Sequence, residues 1–329
     1  MSRLFILLLF FINIAYAKQT HTVLDMYGNE VVLNKDIKRV VSVGAIPVLN
    51  SFVFALNRGG TIRNELPKNF KARAMSAKLH EVLAKNSNIS FVSSPDIENL
   101  IRHKIDLVLT MDSFMTQNFL KKGINSISLR WQNQDDLKKL MLLLGDVLNA
   151  QNEALVYNDY LSQKLEFIES RVKTIPEQNR VKVLYMNFTT LTNPHIIADW
   201  WIEKVGAKSV TDINRQVEQE SFSAEKLLFW DPDIIVVSSK KDKDDIYADK
   251  RYSALKAVIY KNIYVAPSGI HLWANRTSEL PLMLLWASKK IYPEYFSDVD
   301  VAKETREFYK NFFTYQLSDE ELEGILNGG

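Results

Sequence analysis

Apolar residues recur every three or four positions through residues 146–175, at Val147, Ala150, Ala154, Tyr157, Leu161, Leu165, Ile168, Val172 and Ile175. Asn149, Glu153, Asp159, Lys164 and Arg171 fall on other faces. No Gly or Pro interrupts the run before Pro176, so the spacing predicts one long helix with a single buried stripe. Roughly thirty residues at about 1.5 Å each make a rod on the order of 45 Å, long enough to reach from one domain into the next. The same steps would also serve a coiled-coil dimer seam, and the flanking chain decides between the two.

On both sides, short apolar runs alternate with helical patterns. Before the rod, residues 22–24 and 31–33 flank Tyr27-Gly28-Asn29, a hairpin signal in which Gly28 can take the positive φ of a tight turn. Residues 39–43, 106–111 and 126–129 are expected to be buried strands, and 48–56, 96–103 and the stretch from about 135 to be helical. After the rod, 181–186, 233–237 and 262–266 are the strands. Residues 199–205, 225–229, 279–291, 301–313 and 317–326 are the helices, the last opening on the capping-box pattern Ser318-Asp319-Glu320-Glu321. The charge run 240–245 is expected to be a solvated loop. This alternation predicts an α/β fold with parallel-rich sheets. Two segments also look like copies: Glu98 stands eight residues before Asp106, and Glu225 eight before Asp233, each pair joining a surface helix to a buried strand. Two Rossmann-like lobes joined by one backbone helix follow, with a cleft between them.

With 329 residues the chain exceeds one typical core. It divides into residues 1–17 as a leader, 18–145 as the first lobe, 146–175 as the bridge and 176–329 as the second lobe. Arg3, the apolar run 4–12 and Ala15-Tyr16-Ala17 have the charge, length and A-x-A ending of a secretory signal peptide; the run is too short for a membrane anchor, and Asn13 interrupts it. The net charge is +2, falling to +1 if Arg3 leaves with the leader, and no basic stripe occurs. Nucleic-acid binding is therefore not suggested. The chain has no cysteine, which removes both disulfides and a lipid-attachment site after the leader. A free, exported, monomeric protein is expected.

At these residues the chain resembles the periplasmic substrate-binding proteins of ABC importers for iron-siderophores, haem, cobalamin and related metal chelates. The resemblance rests on residues 27–43, 98–108, the helix to Val172, 199–207 (Asp199-Trp200-Trp201 to Gly206-Ala207), 225–236, 267–273 and 286–296. Departures are Ile105-Asp106 where the family commonly has Pro-Asp, kept here at Pro232-Asp233, and Gly206-Ala207 in place of Gly-Gly. The resemblance implies a periplasmic location, capture of a metal chelate, iron-siderophore type foremost, and delivery to a membrane permease. It makes Glu98 and Glu225 the two carboxylates that dock on that permease. It implies no intrinsic cofactor, the chelate being cargo. Molybdate or tungstate, and nickel held as a small complex, are the alternatives within the same architecture.

In an open parallel sheet, ligands sit beyond the carboxyl ends of the strands. That selects Pro47, Met111, Ser113, Arg130 and Trp131 in the first lobe, and His195, Trp200, His271, Trp273 and Arg276 in the second. Aromatic rings offer flat apolar area and arginines complement negative charge. His195 and His271 are the candidate metal contacts, though scattered histidines without cysteine make a bare-metal site weak. Trp200 and Trp201 cannot share a helix face, so one is expected in the core and one toward the cleft. His21, His80 and His103 are expected at the surface. An exported α/β enzyme is the remaining alternative, but no G-x-S-x-G, phosphate loop or H-E-x-x-H pattern is present.

Overall fold

A computed structural model describes residues 20–67, 70, 73–84, 95–211 and 214–329. The expected leader lies outside them. The first lobe opens on an antiparallel hairpin, β1 (Thr20–Leu24) and β2 (Glu30–Asn34), turned at Gly28 with φ of 84°. Its sheet is parallel, β3 (Val40–Ser42), β4 (Leu107–Thr110) and β5 (Ser126–Ser128), side by side in that order. A parallel bridge from Ile62 extends the β3 edge. Helices α1 (Ile46–Ala55), α2 (Ala74–Ala84), α3 (Ile97–Arg102), α4 (Ser113–Lys121) and α5 (Gln134–Val147) connect and cover the strands. The second lobe's sheet contains β6 (Lys182–Met186), β8 (Lys208–Ser209), β10 (Ile234–Val237) and β11 (Ile263–Val265), all parallel, in the order β11-β10-β6-β8. A small pair, β7 (Thr192–Asn193) with β9 (Glu220–Ser221), sits beyond the end of β6.

The bridge α6 (Gln151–Val172) is one unbroken helix of 22 residues, about 33 Å long. Ala154, Tyr157, Leu161, Leu165, Ile168 and Val172 are its buried stripe, as the periodicity predicts. It is shorter than the expected 146–175. Asp146 and Val147 finish α5, and the chain then turns at Asn149, whose φ is 52°. No glycine marks that break; Asn tolerates the left-handed conformation better than most residues. The corner is tight, since a Cβ on Gly145 would sit 2.7 Å from the Ala154 Cβ.

In the second lobe follow α7 (Ile197–Lys204), α8 (Ala224–Trp230), α9 (Lys240–Ala248), α10 (Lys256–Ile259), α11 (Leu280–Ile291), α12 (Val301–Phe312) and α13 (Asp319–Leu326). The charge run 240–245 is therefore helix, not loop. Ser239 caps it by accepting from the Asp242 amide, and Asp242 turns inward to accept from Ser238 and Ser239. Ser318 and Glu321 form the predicted capping box on α13.

The suspected repeat extends to hydrogen bonds. Asp106 accepts from the amides of Lys38 and Arg39, and Asp233 accepts from that of Lys182, so each carboxylate ties down the start of the neighbouring strand. Two residues before each, Lys104 (φ 50°) and Asp231 (φ 42°) end the short helix in the left-handed region. Asn125 and Asn262 then donate to the carbonyls of Asp106 and Asp233 respectively.

Each sheet has two apolar faces. Leu107, Leu109 and Ile127, with Val183, Tyr185 and Val236, face a continuous core that runs along α6 and includes α11 and α12. The alternate residues Val41, Val43 and Val108 pack under the outer helices of the first lobe, and Leu184, Met186, Ile235 and Val237 do so in the second. Tyr157 of α6 donates to the Ser278 carbonyl at 2.7 Å, while Lys164 and Arg171 pair with Glu304 and Asp298. The bridge is thus embedded in both lobes rather than spanning open space.

Candidate functional site

The lobes meet at the carboxyl ends of their strands, around the loop 266–279 that follows β11. Ser278 donates to Ser51 of α1 through its amide at 3.0 Å, and its hydroxyl donates to the Ser51 carbonyl at 2.9 Å. Ser76 of α2 donates to the Gly269 carbonyl at 2.7 Å. Arg276 Nε donates to the Trp131 carbonyl at 3.0 Å. The rings of Phe70 and His271 meet edge to face at 5.9 Å between centroids.

A buried carboxylate shapes this loop. Glu279 accepts from Tyr309, from the Trp273 indole at 3.0 Å, from the His271 amide at 3.3 Å and from the Thr277 hydroxyl at 3.3 Å. Burial pushes its carboxyl up to about 6, against the pull of those donors. Gly269 has to be glycine here: a Cβ would run into the Glu279 carboxylate and the Tyr309 hydroxyl. Behind the loop, Asp199 is fully buried and accepts from Asn193, Ser209 and Thr211, and its second oxygen lies 2.7 Å from Arg215 Nη1. Arg215 in turn donates to the carbonyls of Val217 and Glu218, fixing a turn that carries the Glu218 carboxylate to Arg276.

His195 lies within electrostatic reach of both His271 and Arg276. Burial lowers His271 to about 3, helped by Arg73 and by His195; burial and Arg276 lower His195 to about 4, with Glu218 acting the other way. Both imidazoles are therefore neutral at pH 7. Tyr185 donates to Asn275 Oδ1 at 2.8 Å, which turns the Asn275 amide nitrogen toward His271 Nε2 at 3.4 Å. With Nε2 accepting, the network assigns the ring proton to Nδ1, making that atom a donor. His271 Nδ1, His195 Nδ1 and the Trp131 indole nitrogen are all buried without a hydrogen-bond partner among the described residues. The His195 carbonyl accepts from the Ala198 amide at the first turn of α7.

The other candidates fall elsewhere. Trp131 is 1% exposed and lies edge-on to Phe52 in the core, so its ring offers no flat surface to a ligand. Trp273 is wholly buried, held by Glu279, and Trp200 and Trp201 are both core residues, Trp201 donating to the Ala274 carbonyl. Neither of that pair faces a cleft. Pro47 is buried in the first turn of α1, Met111 packs against the core, and Ser113 opens α4. Arg130 stacks over Tyr27, 5.2 Å from the ring, within the first lobe. His80 is buried against Phe54 rather than at the surface. Arg73 and Glu218 complete the cluster and were not singled out from the sequence, because no spacing signal links them to residues so distant along the chain. Among the described residues no three His, Cys, Asp or Glu side chains form a metal-holding group. A cavity of about 870 Å3 on the outer flank of the second lobe, beside Tyr264, Trp286 and Lys290, contains none of these residues.

Glu98 and Glu225 are both exposed and occupy matching places, the second residue of α3 and of α8. Asp96 caps one helix and Ser223 the other. Glu98 pairs with Arg102 one turn on. No helix of the described residues is long and apolar enough to cross a membrane.

Residues 75–269 match the family described as periplasmic binding protein. The molybdate-binding protein MolA of Haemophilus influenzae is 23% identical over 255 residues, 72% of this chain and 70% of MolA. Among solved structures, a periplasmic solute binding protein from Veillonella parvula superposes with a TM-score of 0.78 at 28% identity, covering 94% of this chain and 97% of that one. Molybdate-bound MolA gives 0.76 at 22%, covering 91% and 99%. CeuE of Helicobacter pylori with Ni(II) bound gives 0.74 at 18%, covering 93% and 99%. These neighbours share the two-lobed α/β architecture.

Proposed function

The chain belongs to the periplasmic binding protein family, and on that premise we propose that it captures a compact oxyanion, of the molybdate or tungstate class, for an ABC importer. The observation that carries this choice is the donor array at the junction. Arg276, the Nδ1–H of His271 and the positive field of Arg73 favour an anion, whereas a bare cation would need lone pairs that this His271 tautomer does not present. A likeness to MolA, which binds molybdate, supports the same choice. The iron-siderophore expectation is less well supported. The aromatic rings that were to receive a bulky chelate, Trp131, Trp200 and Trp273, are packed into the core. His195, whose Nδ1 lacks a partner among the described residues, favours one second reading, a small nickel complex like the nickel-histidine seen with CeuE.

The protein works in the periplasm, binds its cargo between the lobes without altering it, and meets the permease with Glu98 and Glu225. One exposed charge per lobe lets the permease register both lobes at once, and such pairs act chiefly on encounter and orientation. The test is a thermal-shift and tryptophan-fluorescence titration with molybdate, tungstate, nickel-histidine, haem and ferric siderophores. Molybdate or tungstate should stabilise the protein by about 2.7 kcal/mol at a hundredfold excess over the dissociation constant, and Arg276→Ala should abolish that gain. Saturable binding of a ferric siderophore with no response to either oxyanion would overturn the assignment.

A further inference from the structure

Arg276 already holds an anion. Its Nη2 donates to the Glu218 carboxylate while its Nε spans the junction to the Trp131 carbonyl. The two partners are held very differently. The Arg276 side chain is 8% exposed and that of Glu218 is 49% exposed, so the guanidinium is fixed and the carboxylate stands half in water. The backbone beneath Glu218 is anchored: Arg215 donates to the Val217 carbonyl at 3.1 Å and to that of Glu218 at 3.0 Å, and is itself paired with buried Asp199. Only the Glu218 side chain is left to move. Its carboxylate offers a guanidinium the same planar pair of charged oxygens as one edge of an oxyanion.

We propose that Glu218 is an internal competitor that occupies the anion position on Arg276 until cargo displaces it. Loading is an exchange in which no covalent bond changes: the Glu218 carboxylate turns out into solvent, the oxyanion takes its place at Nη2, and the Nε link to Trp131 keeps the lobes together. The competitor sets a threshold. A singly charged or weakly hydrogen-bonding anion gains no more from Arg276 than Glu218 does and is excluded, whereas a compact dianion gains enough to displace it. This rests on the oxyanion reading above and adds the residue that determines which anions are admitted.

The experiment compares the exported protein with its Glu218→Gln variant, with Glu218→Ala beside it to guard against a local packing effect. In the first arm molybdate is titrated by tryptophan fluorescence. Both variants should bind at least about tenfold more tightly than the parent, since a like charge next to the bound anion is gone. The second arm needs no ligand: phenylglyoxal modification of Arg276 is followed by peptide mass spectrometry, with Arg215 as internal control. Arg276 should react several-fold faster in the variants and Arg215 at an unchanged rate. Unchanged labelling of Arg276 overturns the competitor whatever the cargo, and so does equal or weaker molybdate binding in variants of a parent that binds it. Faster labelling in proteins of which none binds molybdate or tungstate upholds the competitor and removes the oxyanion assignment instead.

Discussion

The carboxylate of Glu279 receives donors from Tyr309, Trp273, Thr277 and the His271 backbone, so it fixes the loop that delivers His271 and Arg276 to the junction. In Glu279→Gln an amide N–H2 must face some of those donors. Urea unfolding should show a loss of about 2–4 kcal/mol, and an unchanged midpoint would remove the network from this role. Acidity offers a second test. His80, His195 and His271 have folded-state values lowered from 6.5 to about 3, 4 and 3 by burial. The unfolded chain therefore takes up their protons first, and stability falls as pH drops below about 6.5, by up to about 1.4 kcal/mol per pH unit for each group. Glu279, raised from 4.5 to about 6, has the opposite sign: its contribution is full below 4.5 and is lost as pH rises through 6. Burial also raises the Asp199 carboxyl, which shares the sign of Glu279; three histidines oppose these two carboxyls, so the urea midpoint should fall from pH 7 to pH 4, and a flat or rising midpoint would contradict the neutral, buried assignment of the histidines. At this scale the sequence was legible only in part. The positions of His195, His271 and Arg276 near strand ends or turns could be read from local signals, but the burial of Trp131 and Trp273 depends on Phe52 and Glu279, partners that no local pattern reveals.

Among the elements, α6 was the most legible because a period of 3.6 survives any error in its ends. Its buried residues are all predicted stripe positions, but both ends were misplaced: Asn149 takes a conformation that its side chain does not announce, and the helix stops at Val172 rather than Ile175. The charge run of α9 was misread for a related reason. Ser239 and the inward Asp242 make a helix of a stretch whose remaining charges look like a loop. The α5–α6 corner gives a direct prediction. Gly145→Ala places a methyl group 2.7 Å from Ala154, and overpacking there should cost about 1–3 kcal/mol. Denaturant unfolding that matches the parent would mean the two helices can part without loss.

For the molecule as a whole, one core along α6 receives side chains from both sheets. Calorimetry should therefore record a single cooperative transition; two separated peaks, each assigned to one lobe, would show the core to be divided. The matching positions of Glu98 and Glu225 give a prediction on transport. Reversing both to Lys should abolish uptake in cells while cargo affinity in the purified protein stays within about twofold, because exposed charges of this kind govern encounter more than affinity. Loss of affinity in the double variant would place these residues in the binding site instead.

The continuity of that core has a mechanical meaning. A clamshell with a flexible hinge swings apart on thermal motion alone, but halves that share their oily interior can separate only by exposing it to water. Small-angle scattering should accordingly differ little between loaded and empty protein. Release then becomes the task of the transporter, which must use its own driving force to prise the grip open, so that cargo is not shed on the way there.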